Sequence, residues 1–265
     1  MQTPGGVGYT PSYPSDSLES QAPARTIILG SVLSYYGLSD TGCVRQNNED
    51  AFLIEPQLGL YALADGMGGA QAGEVASRIA VHSLCSYLAE HPGDSLENLV
   101  RAVEYANDQI LVFAADPKYK GMGTTLVCAM ESQNGLQIAN VGDSRAWLLT
   151  GGSLELLTSD QTWVNEVGRP LGLTEENIRS HPMRHVLTMA LGVGNSLRVQ
   201  AFPLELHPGS LLLLSSDGLH GPVSEEEICE ILLRPISLEA RAHLLIEAAR
   251  QAGGPDNITV VLLQN

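Results

Sequence analysis

Asp50, Asp65, Asp217 and Asp256 share one local grammar: each stands at the edge of an apolar run, and three of them adjoin a glycine or a Gly-Pro turn. The clearest case is Tyr61-Ala62-Leu63-Ala64-Asp65-Gly66-Met67-Gly68-Gly69, where an apolar run stops on a carboxylate and passes at once into small residues. That pattern predicts a buried strand ending at Asp65, an open turn, then a helix start. A carboxylate at a sheet rim beside glycines suits a hard cation or a phosphate. It also suits a plain helix cap, and this segment alone leaves both open. Recurrence at three other strand edges favours ions, because four carboxylates gathered in one place repel strongly unless cations neutralise them. Two divalent ions bridged by Asp65 are the simplest solution, and an all-oxygen ligand set selects Mg²⁺ or Mn²⁺ over zinc. Such a pair, about 3.5–4 Å apart, activates a water for in-line displacement at phosphorus. Arg45, on the same polar loop as Asp50, offers a guanidinium to grip a phosphate; a surface ion pair is the plainer alternative. Glu49 fits a supporting role toward ion-bound water, or a solvated loop charge.

The elements that must hold these residues follow from periodicity. Residues 1–24, rich in Gly, Pro and Ser, are expected to be a disordered tail, with a single domain over 25–265. A first strand is expected over 26–38, then Phe52–Ile54 and Leu58–Ala64 as an antiparallel pair. Ala76, Ile79, Ala80, Leu84 and Leu88 predict a helix over roughly 70–90. Asp94 with Glu97 has the form of a capping box opening a second helix. Strands are expected through Ala129, over Leu136–Val141, Ala146–Leu149 and Leu211–Leu214, and over Ile258–Leu263. Ser224 caps one late helix, and 238–251 forms another. The mixed pattern over 158–185 reads as a mobile insertion. Strands in runs and helices in separate pairs predict an α+β fold of antiparallel sheets with helices outside.

Composition narrows the function. The chain has 265 residues, a net charge of −16 and lysines only at 118 and 120, so neither nucleic acid nor an anionic membrane is an expected partner. No apolar run reaches spanning length and no export signal opens the chain. Cys43, Cys85, Cys128 and Cys229 are scattered, which fits reduced thiols of a cytoplasmic protein rather than a zinc site.

Taken together, Arg45-Gln-Asn-Asn-Glu-Asp50, Ala64-Asp-Gly-Met-Gly-Gly69, Gly123-Thr-Thr125, Val141-Gly-Asp-Ser-Arg145, Ser215-Ser-Asp-Gly218 and Gly254-Pro-Asp-Asn257 resemble the motifs of the metal-dependent type 2C protein serine/threonine phosphatases, bacterial type. They run in the family's order and span about residues 31–265. The resemblance implies a four-layer αββα sandwich, two antiparallel β-sheets flanked by helix pairs, with the metal centre at one end. It implies that Asp65 bridges two Mn²⁺ or Mg²⁺ ions. The Gly66 carbonyl and Asp50 would complete one ion, Asp217 and Asp256 the other. A third, weaker ion falls to Asp143 and Asp217, and phosphate contact to Arg45. Asp143 by itself also reads as a turn carboxylate that pairs with Arg145 or caps the turn. The implied substrates are phosphorylated proteins, with a cognate serine/threonine kinase as a partner.

Two departures stand out. Met67 takes the place of a histidine that many eukaryotic members carry as a general acid, so water must protonate the leaving alkoxide. The family's common Asp-His is Asp160-Gln161 here, so the 158–185 flap is not anchored by the family's usual residue. Other signals fail: the glycine spacing after Asp65 is not a dinucleotide fingerprint, and no P-loop or nucleophile elbow exists. His181 and His185 read as solvated flap residues rather than metal ligands. The alternatives are a catalytically weak relative that binds phosphoproteins and a phosphatase of small metabolites. All four core aspartates are present, which argues against the first.

Overall fold

Where a single strand was expected over 26–38, the computed structural model has a hairpin, β1 (Arg25–Ile28) and β2 (Ser31–Asp40). The structure describes residues 25–28, 31–68, 72–194 and 196–265; the expected tail at 1–24 lies outside them. β3 (Asp50–Glu55) and β4 (Leu60–Met67) pair antiparallel, as the Pro-containing turn between them suggested. Helices α1 (Ala72–Glu90) and α2 (Leu96–Ala114) follow. The cap of α2 is Ser95, whose side chain accepts from the Asn98 N–H. Asp94, expected as the cap, instead accepts from the Gln133 N–H across the molecule.

Then come β5 (Gly123–Thr124), β6 (Leu126–Ser132), β7 (Gly135–Val141), β8 (Arg145–Thr150) and β9 (Ser153–Leu156). The stretch from 158 to 199 holds a π-helical turn (Val164–Gly168) and the short α3 (Glu175–Ser180), capped by Thr174. β10 (Gln200–Leu204), β11 (Leu211–Ser215), α4 (Asp217–His220), α5 (Glu225–Leu232), α6 (Leu238–Gln251) and β12 (Ile258–Gln264) complete the described chain. β10 was not evident in the sequence because Pro203 interrupts it. It is tolerated there because β10 is an edge strand.

One sheet runs β1-β2-β12-β11-β8-β9, the other β10-β7-β6-β4-β3, with β5 paired to β4, and every pairing is antiparallel. Side chains alternate across each sheet with period two. In β4, Leu60, Ala62 and Ala64 face α1 and α2, while Tyr61 and Leu63 face the other sheet. In β12, Ile258, Val260 and Leu262 face the late helices, while Val261 and Leu263 meet Tyr61 and Leu63 between the sheets. Three apolar layers thus separate four layers of secondary structure, and the fold is the αββα sandwich. Strands buried on both faces have no polar side, which is why β4, β11 and β12 read as continuous apolar runs. Gly37 in β2 is needed where the sheets meet, since a Cβ there would lie 2.5 Å from the Phe52 ring.

Candidate metal centre

Strand register gathers the carboxylates at one end of the sandwich. Asp50 and Asp65 are direct cross-strand partners at the ends of β3 and β4. Like charges so placed destabilise a bare pair. Arg145 and Ser215 are partners at the ends of β8 and β11, so Asp143, two residues before the first, and Asp217, two after the second, emerge together. Asp256 arrives on the turn just before β12, which pairs with β11.

Main-chain and hydroxyl contacts hold these ends. The Asp65 N–H donates to Thr125 Oγ1 at 3.0 Å, and Thr124 Oγ1 donates to the Asp65 carbonyl at 2.8 Å. Thr125 Oγ1 in turn meets Ser144 Oγ at 2.7 Å, tying the Asp65 strand end to the Asp143 turn. One oxygen of Asp50 accepts from Thr259 Oγ1 at 2.6 Å and Ser216 Oγ at 2.9 Å. Asn257 pins the 41–49 loop: its Oδ1 accepts the Glu49 N–H at 2.8 Å, and its Nδ2 donates to the carbonyls of Thr41 and Asn47. Two glycines sit where no side chain fits. A Cβ on Gly66 would lie 2.1 Å from the Gly73 carbonyl oxygen, and one on Gly218 would lie 1.9 Å from the Asn257 carbonyl oxygen.

The electrostatics mark this as a site under strain. Burial raises Asp65 well above the usual carboxylate range, and Asp50, Asp217, Asp143 and Asp256 push it further. Asp50 is raised to about 7, by burial first, against the pull of its two hydroxyl partners. Asp143 is also raised to about 7, by burial and then by Asp217 and Asp160. Asp217 is raised by burial and by Asp256, with Asp65, His185 and Arg45 opposing. Among the described residues, no three His, Cys, Asp or Glu side chains already form a metal-holding group. Two buried oxygens, Asp50 Oδ1 and Asp217 Oδ1, nevertheless have no hydrogen-bond partner. Buried carboxylate oxygens without donors are costly unless a cation completes them, so the donor set fits hard divalent ions.

Arg45, expected on a phosphate, pairs with Asp256 at 2.8 Å while its side chain stays 48% exposed, so it is free to reach an incoming anion. Glu49 lies beside Gly73, with Oε2 2.8 Å from where a Cβ on that glycine would stand. The pairing of Asp143 with Arg145 that local sequence allowed does not form. Arg145 instead makes a two-pronged bond to Asp160, at 2.9 and 2.7 Å. Gln161 anchors the 158–185 segment in place of the family's histidine: its Oε1 accepts the Gly142 N–H at 2.8 Å and its Nε2 donates to the Arg198 carbonyl at 2.9 Å. His181 is not simply solvated, for it stacks on Trp163 with ring centroids 4.5 Å apart. Ser216 and Thr259, which hold Asp50, escaped the sequence reading, and Gln161 entered it only as a departure from the family's histidine. Ser216 lay inside a quoted motif, and Thr259 in the expected last strand.

Residues 44–248 match the family described as protein phosphatase 2C. The serine/threonine protein phosphatase PstP of Mycobacterium tuberculosis is 42% identical over 87% of this chain, which spans only 45% of that protein's length. The serine/threonine phosphatase stp of Listeria welshimeri is 37% identical, with 85% of this chain covering 93% of that protein. A crystal structure of the PstP catalytic domain in complex with two manganese ions superposes with a TM-score of 0.77 at 39% identity, over 88% of this chain and 97% of that one.

Proposed function

Because the chain belongs to the protein phosphatase 2C family, we propose that it is a metal-dependent phosphoserine/phosphothreonine protein phosphatase. The observation that carries this reading is the gathering of Asp50, Asp65, Asp143, Asp217 and Asp256 at one sheet end, where burial and neighbouring carboxylates raise the pKa values of Asp50, Asp65, Asp143 and Asp217. Asp65, Asp50 and the Gly66 carbonyl would hold one Mn²⁺ or Mg²⁺, Asp65, Asp217 and Asp256 a second, and Asp143 with Asp217 a weaker third. Bound ions supply an activated water nucleophile near neutral pH and neutralise charge on the phosphoryl oxygens.

The chain's own residues do the rest. Arg45 leaves Asp256 for the phosphate, which it can bind with two parallel N–H bonds. Ser216 and Thr259 fix the orientation of Asp50 by holding one of its oxygens and leaving the other open. Glu49 orients water at the rim. Met67 has no proton to give, so the leaving alkoxide takes its proton from water near Asp143. The 158–185 segment acts as a flap over the substrate, anchored by Gln161. Phosphorylated proteins are the substrates, and a kinase that makes them is the natural functional partner. The four free thiols support a cytoplasmic setting.

Purified protein incubated with phosphoserine and phosphothreonine peptides should release phosphate in Mn²⁺ and none in excess EDTA. Turnover that survives chelation, or a trapped covalent phosphoenzyme, refutes the mechanism.

A further inference from the structure

Between α5 and α6 runs a groove that the chemistry above leaves unused. The two helices, joined by the short turn 233–237, border a cavity of about 490 Å³. Its floor is apolar: Ile231 of α5 is buried, and Leu244 and Ala248 of α6 are half-buried. On the turn beside Arg234, Leu233 and Ile236 are 49% and 38% exposed. Exposed apolar side chains set among polar ones mark places where another chain binds. The rim is acidic: Glu227 and Glu230 stand on α5 and Glu247 on α6, all exposed. Among the described residues none of these three has an ion-pair partner. Arg234 is the one cation lining the cavity. The arginines of α6 are engaged elsewhere, Arg241 donating to the Arg234 carbonyl and Arg250 pairing with Asp40.

We propose that this groove docks a basic, leucine-bearing segment of the phosphoprotein substrate, separate from the residue that is dephosphorylated. This rests on the phosphatase reading of the centre. Charge selects the occupant. A second copy of this chain carries a net charge of −16, and residues 1–24 hold Asp16 and Glu19 with no lysine or arginine, so the rim repels both. Arginine or lysine on a partner would meet three carboxylates that lack a cation, while an apolar side chain would fill the cavity over Leu244 and Ala248. The location suits a substrate. Ser224, at the start of α5, follows the short α4 that Asp217 opens, and Gln251, at the end of α6, precedes the turn that carries Asp256. A chain held in the groove stays near the centre, and such tethering raises the effective concentration of its phosphorylated residue there. A net charge of −16 also repels a phosphorylated segment, and a basic stretch elsewhere on the same substrate offsets that repulsion.

Two probes and two variants test this. The first probe is a fluorescein-labelled, unphosphorylated peptide of arginines and leucines, titrated in EDTA by anisotropy. The second is a phosphothreonine peptide with and without that segment joined through a Gly-Ser linker, assayed in Mn²⁺. The groove variant combines Glu227→Gln, Glu230→Gln and Glu247→Gln. The control combines Glu90→Gln, Glu104→Gln and Asp108→Asn, which removes the same charge from α1 and α2. The labelled peptide should bind the parent and the control within about threefold of each other, and the groove variant at least about tenfold more weakly. Replacing its leucines by glutamine should weaken binding to the parent by about tenfold. The joined segment should lower KM about tenfold for the parent and the control but not for the groove variant, with kcat on the plain peptide within about twofold in all three. Equal behaviour of the groove variant and the control, binding indifferent to the leucines, or a parent KM unchanged by the joined segment overturns the proposal. A parent protein that turns over neither phosphopeptide sinks the phosphatase reading instead, while anisotropy still decides whether the groove takes a basic segment.

Discussion

Replacing Gln161 by Leu tests how the 158–185 segment is tied to the centre. Gln161 is 6% exposed and makes two main-chain bonds, to the Gly142 carbonyl and from the Thr188 N–H, which a leucine keeps. What leucine loses is the acceptor for the buried Gly142 N–H and the donor to the Arg198 carbonyl. An orphaned buried N–H costs about 1–3 kcal/mol, and a part-buried carbonyl bond about 0.5–1.5 kcal/mol. The sum is centred near about 3 kcal/mol. For a chain of this size, that lowers Tm by about 6–12 °C at about 2–4 °C per kcal/mol. Differential scanning calorimetry reads the fall, and amide hydrogen exchange should show Gly142 losing protection first, since the break is local. Gln161→His should recover part of the loss, because a neutral imidazole offers one acceptor and one donor. A fall under about 2 °C with Gly142 exchange unchanged would refute the anchoring argument.

Mn²⁺ at about one hundred times its Kd should stabilise the protein by about 2.7 kcal/mol, read as a rise in Tm that EDTA reverses. Asp65→Asn should erase both that rise and turnover, and a normal Mn²⁺-induced rise in this variant would argue against a bridging role. Tyr61→Phe removes the 2.6 Å hydrogen bond from Tyr61 to Glu131, whose pKa burial raises and this bond lowers. The bond favours ionised Glu131, so the cost should be about 1.5–3 kcal/mol at pH 8 and shrink as pH falls through the Glu131 pKa. Urea melts at pH 8 and at an acid pH decide this, and a cost that is flat with pH, or larger in acid, contradicts it. Gly218→Ala drives a Cβ into the Asn257 carbonyl oxygen, and the displacement should cost at least about 1–3 kcal/mol and most of the turnover. A crystal structure with the 217–218 and 256–257 segments unmoved would contradict it.

The centre's carboxylates were legible because a strand edge is a local fact of sequence: an apolar run, an aspartate, a glycine. Their partners were not. Thr259 reaches Asp50 across 209 residues of chain, a meeting decided by sheet order rather than by any neighbouring pattern. The helix that Asp217 opens has four residues, too few to display a period. Asp94 and Ser95 both suit a helix cap, and the choice of Ser95 follows the contact that draws Asp94 to Gln133. Gln161 was visible only as a departure from the family's histidine, and its bonds show that an amide can hold the same kind of junction.

β12 lies between β2 and β11, so the last strand of the described chain fills the middle of its sheet. During synthesis, β2 and β11 leave the ribosome first and wait with unpaired edges until residues 258–264 follow. A nascent chain halted before that point carries two open, strongly apolar edges, an arrangement prone to aggregation. Asp256 arrives in the same late stretch, on the turn that leads into β12. A product halted before that turn lacks Asp256 and is expected to show no phosphate hydrolysis if Asp256 holds an ion as proposed. Activity in a cell extract would report molecules whose synthesis has run through that final strand.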